Sequence, residues 1–436
     1  MKNKFFTAVL LISIPFFLTA CSLSDIPVVG KYLGGDGAVS NPIAGPVSLS
    51  VWGLWESPEI MDVVINEYRN QNPDVTVNYE DRSVVKADQY KETVIGRLKE
   101  GGAPDVILVH NSWMPYIKDY LEPMPSSIIS AQDYSQKYYP PITESAIIDG
   151  KVYAVPSYYD GLVLVYNKDH FDEIDQVTPP TAWEEFRRIA LALTVMSDNG
   201  EFVRAGAAIG TADNIDFFSD IIGLMFAQAG VIVPDNIDSK SAQDALSFYT
   251  LFARSDGIWS SSLQEASKAF SAEKVSMIFV PTWDLLDIVK ARPEMNIGVA
   301  PVPQAIADRP VSWGSFWMYA VPKSSSNKNA AWKFIDFVSQ DSQQLALFNE
   351  ATKVRPYGAP FGSASLASQI GSSPTSKYIK PVLDMAPYAK SNYFSARSGN
   401  AVEVNALKKA VNDVLSGVPS KSALETCKQT LTGIVR

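Results

Sequence analysis

From Val47 onward the chain alternates between short apolar runs of period two and longer runs of helical period. That alternation restricts it to few architectures. Val47, Leu49 and Val51 alternate with serines and close on Trp52-Gly53, the pattern of a strand with one buried face. Ser57-Pro58 then offers an N-cap and a first-turn proline, and Ile60, Val63, Val64 and Tyr68 follow on one helical face. Val75, Val77 and Tyr79 predict a second strand, and Tyr90, Val94 and Leu98 a second helix stopped by Gly101-Gly102. Pro104 to Val109 reads as a buried strand of the parallel kind. Helices between strands impose crossover connections, so the expected class is α/β, with open sheets flanked by helices.

The rhythm continues with longer helical insertions. Strands are expected over 152–156, 162–166, 275–280, 297–301 and 316–321. Helices are expected over 183–194, 214–229, 241–254, 283–291, 327–339, 376–386, 400–416 and 421–434, so the final stretch of about a hundred residues reads as a helical tail. At 436 residues and 46% hydrophobic, the chain can bury a large core in two or more domains.

The first residues set the location. Lys2 and Lys4 precede an apolar run, Phe5 to Leu18, which is short for a membrane span and is interrupted by Pro15. A basic start, an apolar stretch and small residues before a cut site make residues 1–20 a secretory signal. Leu18-Thr19-Ala20-Cys21 resembles the lipobox of bacterial lipoproteins, which implies cleavage after Ala20 and lipid on Cys21. Residues 21–46, rich in Gly, Pro, Ser and Asp, then form a flexible tether. The expected location is the extracytoplasmic face of the cell membrane, at the cell surface or in a periplasm. With Cys21 acylated, Cys427, the other of two cysteines, has no disulfide partner. Loss of Lys2 and Lys4 with the leader takes the net charge from −10 to −12, which argues against nucleic acid and against a polybasic membrane-binding face.

Six stretches, in order, carry a family resemblance. They are Val51-Trp52-Gly53-Leu54-Trp55; Gly102 to Val106 leading to Leu121-Glu122-Pro123-Met124; and Asp149 to Pro156 followed by Val165-Tyr166-Asn167-Lys168. Next come Pro180 to Phe186; Ala269-Phe270 with Lys274 to Met277 and Trp283; and Trp313-Gly314 through Ala320-Val321-Pro322-Lys323 to Ala330–Ile335. Together they resemble the extracellular solute-binding proteins of ABC importers, in the sugar-binding group that includes maltose-binding protein.

The resemblance implies a two-lobed periplasmic-binding-protein type II architecture. Lobe 1 would combine 47–157 with 315–351, and lobe 2 would combine 160–310 with 356–436. Crossings fall near 157–160, 311–315 and 352–357. Solute would sit between the lobes, and a hinge-closed state would be read by permease transmembrane subunits that work with a separate ATPase. A monomer without cofactors is expected.

A sugar ring has apolar C–H faces and a hydroxyl edge, so its site needs aromatic plates together with carboxylates and amides. Nine Trp and nineteen Tyr supply the plates. Trp283 stands where the family places a stacking tryptophan; an inward-packed helix residue is the other reading. Asp160 matches a sugar-binding carboxylate of maltose-binding protein, or serves as a turn residue beside Gly161, and Tyr159 just before it is a further ligand-binding candidate. Trp55 and Glu56 follow the first strand in a cleft-facing loop, and Asn111, Ser112 and Trp113 end another strand, as ligand contacts or as helix caps. Trp313 and Gly314 lie at a crossing, where glycine permits close backbone approach. Arg355 is a ligand contact or an interlobe ion pair, and Tyr393 with Phe394 offers a further plate. The polar residues around Asn111–Trp113 do not match those of the maltose binder.

Catalysis is the competing class. Only His110 and His170 occur, each suited to local hydrogen bonding, and the chain has no His-Glu-x-x-His, Cys-x-x-Cys, Gly-x-Ser-x-Gly or phosphate-loop motif. A surface glycoside hydrolase would need a carboxylate pair that nothing in the sequence nominates. A carbohydrate adhesin would share the aromatic cleft without the hinge. The expectation is a lipid-anchored, non-enzymatic binding subunit for a mono- or oligosaccharide, with a polyol or another polar solute as the alternative.

Overall fold

The computed structural model describes residues 45–358 and 360–434. The signal segment 1–20, Cys21 and all but the last two residues of the tether lie outside the described residues. Among the described residues no helix is long and apolar enough to cross a membrane.

The opening follows its sequence pattern. Strand Val47–Gly53 pairs in parallel with Val75–Asp81, joined by helix Pro58–Gln71 with Pro58 in its first turn. Helix Ala87–Glu100 stops at Gly101, whose φ of 75° lies in the left-handed region that glycine enters without strain. Strand Ile107–His110 is buried throughout. Asp105, just before it, ties distant pieces together: Oδ2 accepts from the Ser50 amide (2.9 Å) and hydroxyl (3.0 Å), and Oδ1 accepts from the Ser325 hydroxyl (2.7 Å). The expected parallel surroundings hold only at Val106, which bridges Val51. Ile107–His110 itself pairs antiparallel with Ser312–Pro322, so the sheet is mixed; its neighbour is a distant segment running the other way.

Two long strands form the centre. Val155–Asn167, expected as two short strands, is one buried strand of 13 residues, and Ser312–Pro322 has 11. They pair antiparallel, with Gly161 opposite Gly314 and Asp160 opposite Ser315. Residues 157–160 and 311–315, read as crossings in the sequence, therefore lie largely within this pair. Beyond Gly161 the first strand takes Met277–Pro281 and Ile297–Ala300 as neighbours. At its other end, Ser312–Pro322 takes Ile107–His110 and Leu121–Glu122.

Helices Ala401–Leu415 and Ser420–Ile434 pack on each other and on Lys240–Arg254, burying the Cys427 thiol. The tail is less helical than its sequence suggests. The helix expected over 376–386 is reduced to Lys380–Met385 between 3-10 turns, and a loop occupies 391–400. Helices Ala131–Lys137 and Pro140–Ala146 fall outside the expected elements, and Asp341–Ala351 lies in the helical tail without a helix of its own expected there. The first two are short and meet at Pro140-Pro141, and the third buries Gln344 beside Phe348, which dilutes its apolar period.

A Cβ on Gly161 would lie 2.6 Å from the Trp313 carbonyl oxygen. Gly161→Ala is expected to force the central strands apart and to destabilise the protein by about 1–3 kcal/mol. Denaturant unfolding measures this, and an unchanged midpoint would show that the close approach carries no constraint.

Candidate functional site

Where the central strands, the loop after the first strand and the start of helix Thr282–Ala291 converge, they enclose a cavity of about 150 Å³. Trp55, Tyr158, Trp283 and Trp317 line it with aromatic residues, and Asp160 and Asp284 add carboxyl residues; Tyr159 also belongs to the lining, with its ring packed on Tyr139 and Phe316. Trp55 has φ of 62°, uncommon for a bulky residue, and its amide donates to the Ser83 hydroxyl. This backbone turn brings its ring to 5.0 Å from Trp317, and to 6.4 Å from both Tyr158 and Trp283, centroid to centroid. Tyr158 and Trp283 lie nearly parallel, at 9° and 6.3 Å.

Asp160 has a structural task that neither sequence reading anticipated. Helix Thr282–Ala291 begins after Pro281, which has no capping side chain. Asp160 takes that role across 122 residues of sequence. Oδ1 accepts from the Thr282 amide (3.1 Å) and hydroxyl (2.8 Å), and Oδ2 accepts from the Trp283 amide (2.9 Å). The carboxylate thus meets the positive helix end and fixes the backbone that carries Trp283. Burial pushes its carboxyl up to about 6 against these donors, which pull it down.

Beneath Trp283 lies a buried ion pair. Arg355 Nη2 stands 2.7 Å from Glu56 Oε1, with side chains 8% and 13% exposed, and the guanidinium sits 5.0 Å from the Trp283 ring centroid. Burial raises the Glu56 carboxyl and Arg355 draws it back down. Both residues support the aromatic surface from behind rather than lining the cavity.

His110 Nδ1 is 2.7 Å from the Ser112 hydroxyl and Nε2 is 3.0 Å from that of Ser315. Burial holds the imidazole down to about 3, which keeps it uncharged and a weak base near neutral pH. Asp284 is raised to about 7, chiefly by burial, while its ion pair with Arg397 opposes the rise. Both Asp160 oxygens are thus engaged at the helix start, and Asp284 is engaged by Arg397.

Of the sequence candidates, Trp55, Tyr159, Asp160 and Trp283 share the cavity. Asn111 and Tyr393 line a different hollow of about 520 Å³, where Asn111 Nδ2 donates to the Ser391 hydroxyl at 2.8 Å. Four further candidates do not line either space. Trp113 is fully buried: its Nε1 donates to the Ser398 carbonyl at 2.6 Å and its ring packs 5.1 Å from Trp317. Trp313 is also interior, donating from Nε1 to Asp220 Oδ1 at 2.8 Å. Gly314 does admit a close neighbour, but that neighbour is Tyr159, whose hydroxyl would lie 2.8 Å from an added Cβ. Phe394 is likewise buried, against Phe226.

The sequence did not nominate Tyr158, Trp317, Phe217, Asp284 or Arg397. Both faces of the central strands are buried, so the period of two that separates core from surface is lost there.

Residues 55–345 match the bacterial extracellular solute-binding protein family. The chain belongs to that family, and its fold is the two-lobed α/β architecture of the type II periplasmic binding proteins. Its backbone is similar to that of an ABC transporter solute-binding protein from Thermotoga lettingae bound with α-D-tagatose (TM-score 0.67, 20% identity, 89% of this chain and 100% of that one). It is also similar to the cyclic α-maltosyl-1,6-maltose binding protein of Arthrobacter globiformis (TM-score 0.72, 18% identity, 90% and 99%). In sequence it is 22% identical over 283 residues to a binding protein of Brucella abortus; that match covers 63% of this chain and 66% of the relative.

The folded value of Asp160 stands above the ordinary 3.8, so between roughly pH 4 and 6 the folded chain holds a proton that the unfolded chain releases. Its contribution to stability therefore grows as pH falls through that window. Asp160→Asn removes this component, so the difference in thermal midpoint between wild type and variant should shift in favour of wild type from pH 7.5 to 4.5. A difference independent of pH would mean the carboxyl titrates normally.

Proposed function

We propose that this protein is the lipid-anchored, extracytoplasmic substrate-binding subunit of an ABC importer, capturing a carbohydrate or polyol. Four aromatic rings gathered with a fixed carboxylate around one small cavity carry this reading. Trp55, Tyr158, Trp283 and Trp317 offer faces for sugar C–H groups, and Asp160 and Asp284 offer acceptors for hydroxyls. The similarity to a tagatose-bound and to a cyclic-maltosaccharide-binding protein supports the same class of solute. The solute leaves unaltered, and no cofactor takes part.

Lobe 1 in this reading is 47–157 with 315–351, and lobe 2 is 160–310 with 356–436. Closure about the central strands buries the solute and presents both lobes to a permease with its own ATPase. Lipid on Cys21 and the tether keep the monomer close to that permease.

Thermal shift against a carbohydrate and polyol panel tests the reading. At a concentration of about 100 Kd the matching solute should add roughly 2.7 kcal/mol and be recovered intact. Turnover of the sugar would instead favour a hydrolase. Trp283→Ala should weaken affinity roughly tenfold or more while lowering the apo midpoint far less than Trp113→Ala, whose buried ring is worth about 3–5 kcal/mol. The reverse order would make Trp283 a core residue.

Cys21→Ser should release the protein from the membrane into the soluble fraction. Continued membrane association of the variant would rule out the acyl anchor.

A further inference from the structure

We infer that Arg397 sets the length of the solute, acting as a side-chain wall between the aromatic cavity and a second hollow beside it. This rests on the carbohydrate reading above. The second hollow, of about 440 Å³, is lined by Ser83, Lys86, Asp88 and Asn400 among others. Trp55 and Arg397 are the two residues common to both linings, so they stand between the spaces.

The two parts of this wall differ in how firmly they are held. Trp55 is fixed by the hydrogen bond its backbone amide donates to the Ser83 hydroxyl and by packing against Trp317. The backbone around Arg397 is clamped as well. The Ala396 amide donates to Asp220 Oδ2 (2.8 Å), the Ser398 carbonyl accepts from Trp113, and Asn400 Nδ2 donates to the Ser112 hydroxyl (2.7 Å). The Arg397 side chain, by contrast, is 57% exposed and is held by its ion pair with Asp284 and by the Phe217 ring 5.1 Å below. Asp284 is mostly buried, but more than half of the Arg397 side chain faces solvent without packing around it, so the side chain is the adjustable element.

Size gives the wall its effect. About 150 Å³ is well under the roughly 300–1,000 Å³ of pockets for drug-sized ligands and suits a single sugar ring or a short polyol. Joined, the two spaces reach about 590 Å³, and the added portion brings hydroxyl, amide and charged groups suited to a second, hydroxylated unit.

The test is calorimetric titration of wild type, Arg397→Ala and Asp284→Asn with D-glucose, D-mannose, D-tagatose, mannitol, maltose, mannobiose and maltotriose. Wild type should favour a single-unit probe over every di- or trisaccharide by at least about tenfold. Arg397→Ala should cut that preference by about tenfold or reverse it, chiefly through tighter binding of the longer sugars. Asp284→Asn, which frees the guanidinium without truncating it, should move the preference in the same direction. Wild type binding short and long sugars alike, or a preference unchanged in both variants, overturns the role of Arg397 and leaves the carbohydrate reading standing. Binding of none of the seven probes overturns that reading and this inference with it.

Discussion

The antiparallel pairing of Val155–Asn167 with Ser312–Pro322 is the constraint on which the rest of the structure depends. The two backbones close up where Gly161 faces Gly314, and neither position has room for a side chain. One strand carries Tyr158, Tyr159 and Asp160 to the cavity, and the other carries Ser315 and Trp317. The helix that bears Trp283 follows directly from a strand paired to the first of them, with Pro281 opposite Leu162. Side chains more than a hundred residues apart are thereby held in register by hydrogen-bonded backbone rather than by loops.

Buried carboxyls then fasten the less regular parts to this frame. Asp105 joins the first strand to the turn before helix Lys328–Val338. Asp220, raised to about 7 by its burial, holds both the Trp313 indole and the amide of Ala396. Asp284 holds Arg397, and Asp160 holds the helix start. Each carboxyl loses hydration on burial and recovers part of it through directed donors, which makes such groups better at specifying geometry than at adding net stability.

The regular elements between 47 and 110 were legible because strand and helix alternate there with clear periods and firm stop signals. The same holds for most helices after 183. What the sequence concealed has two physical causes. In the central strands all residues but Ser315 are buried, so apolar pattern cannot distinguish Trp317, which lines the cavity, from Trp313, which faces Asp220. Trp113, expected as a ligand contact or a helix cap, instead completes the core beneath Trp317. The loop 391–400 has no period at all, and Arg397 gains its place through tertiary contacts, of its backbone neighbours with Asp220 and Trp113 and of its side chain with Asp284 and Phe217. Trp283 and Asp160 were legible as candidates through family resemblance, Tyr159 as the neighbour of Asp160 and Trp55 through its place after the first strand, though the capping task of Asp160 was not.

That capping task couples two properties usually considered separately. Asp160 both lines the cavity and is the keystone of the helix that aims an indole into the same space. Any redesign that trades this acid for a different polar group alters ring placement along with hydrogen-bonding preference. Retargeting the protein to a new guest is therefore better begun at positions that carry no such double duty, with Asp160 kept as a fixed point.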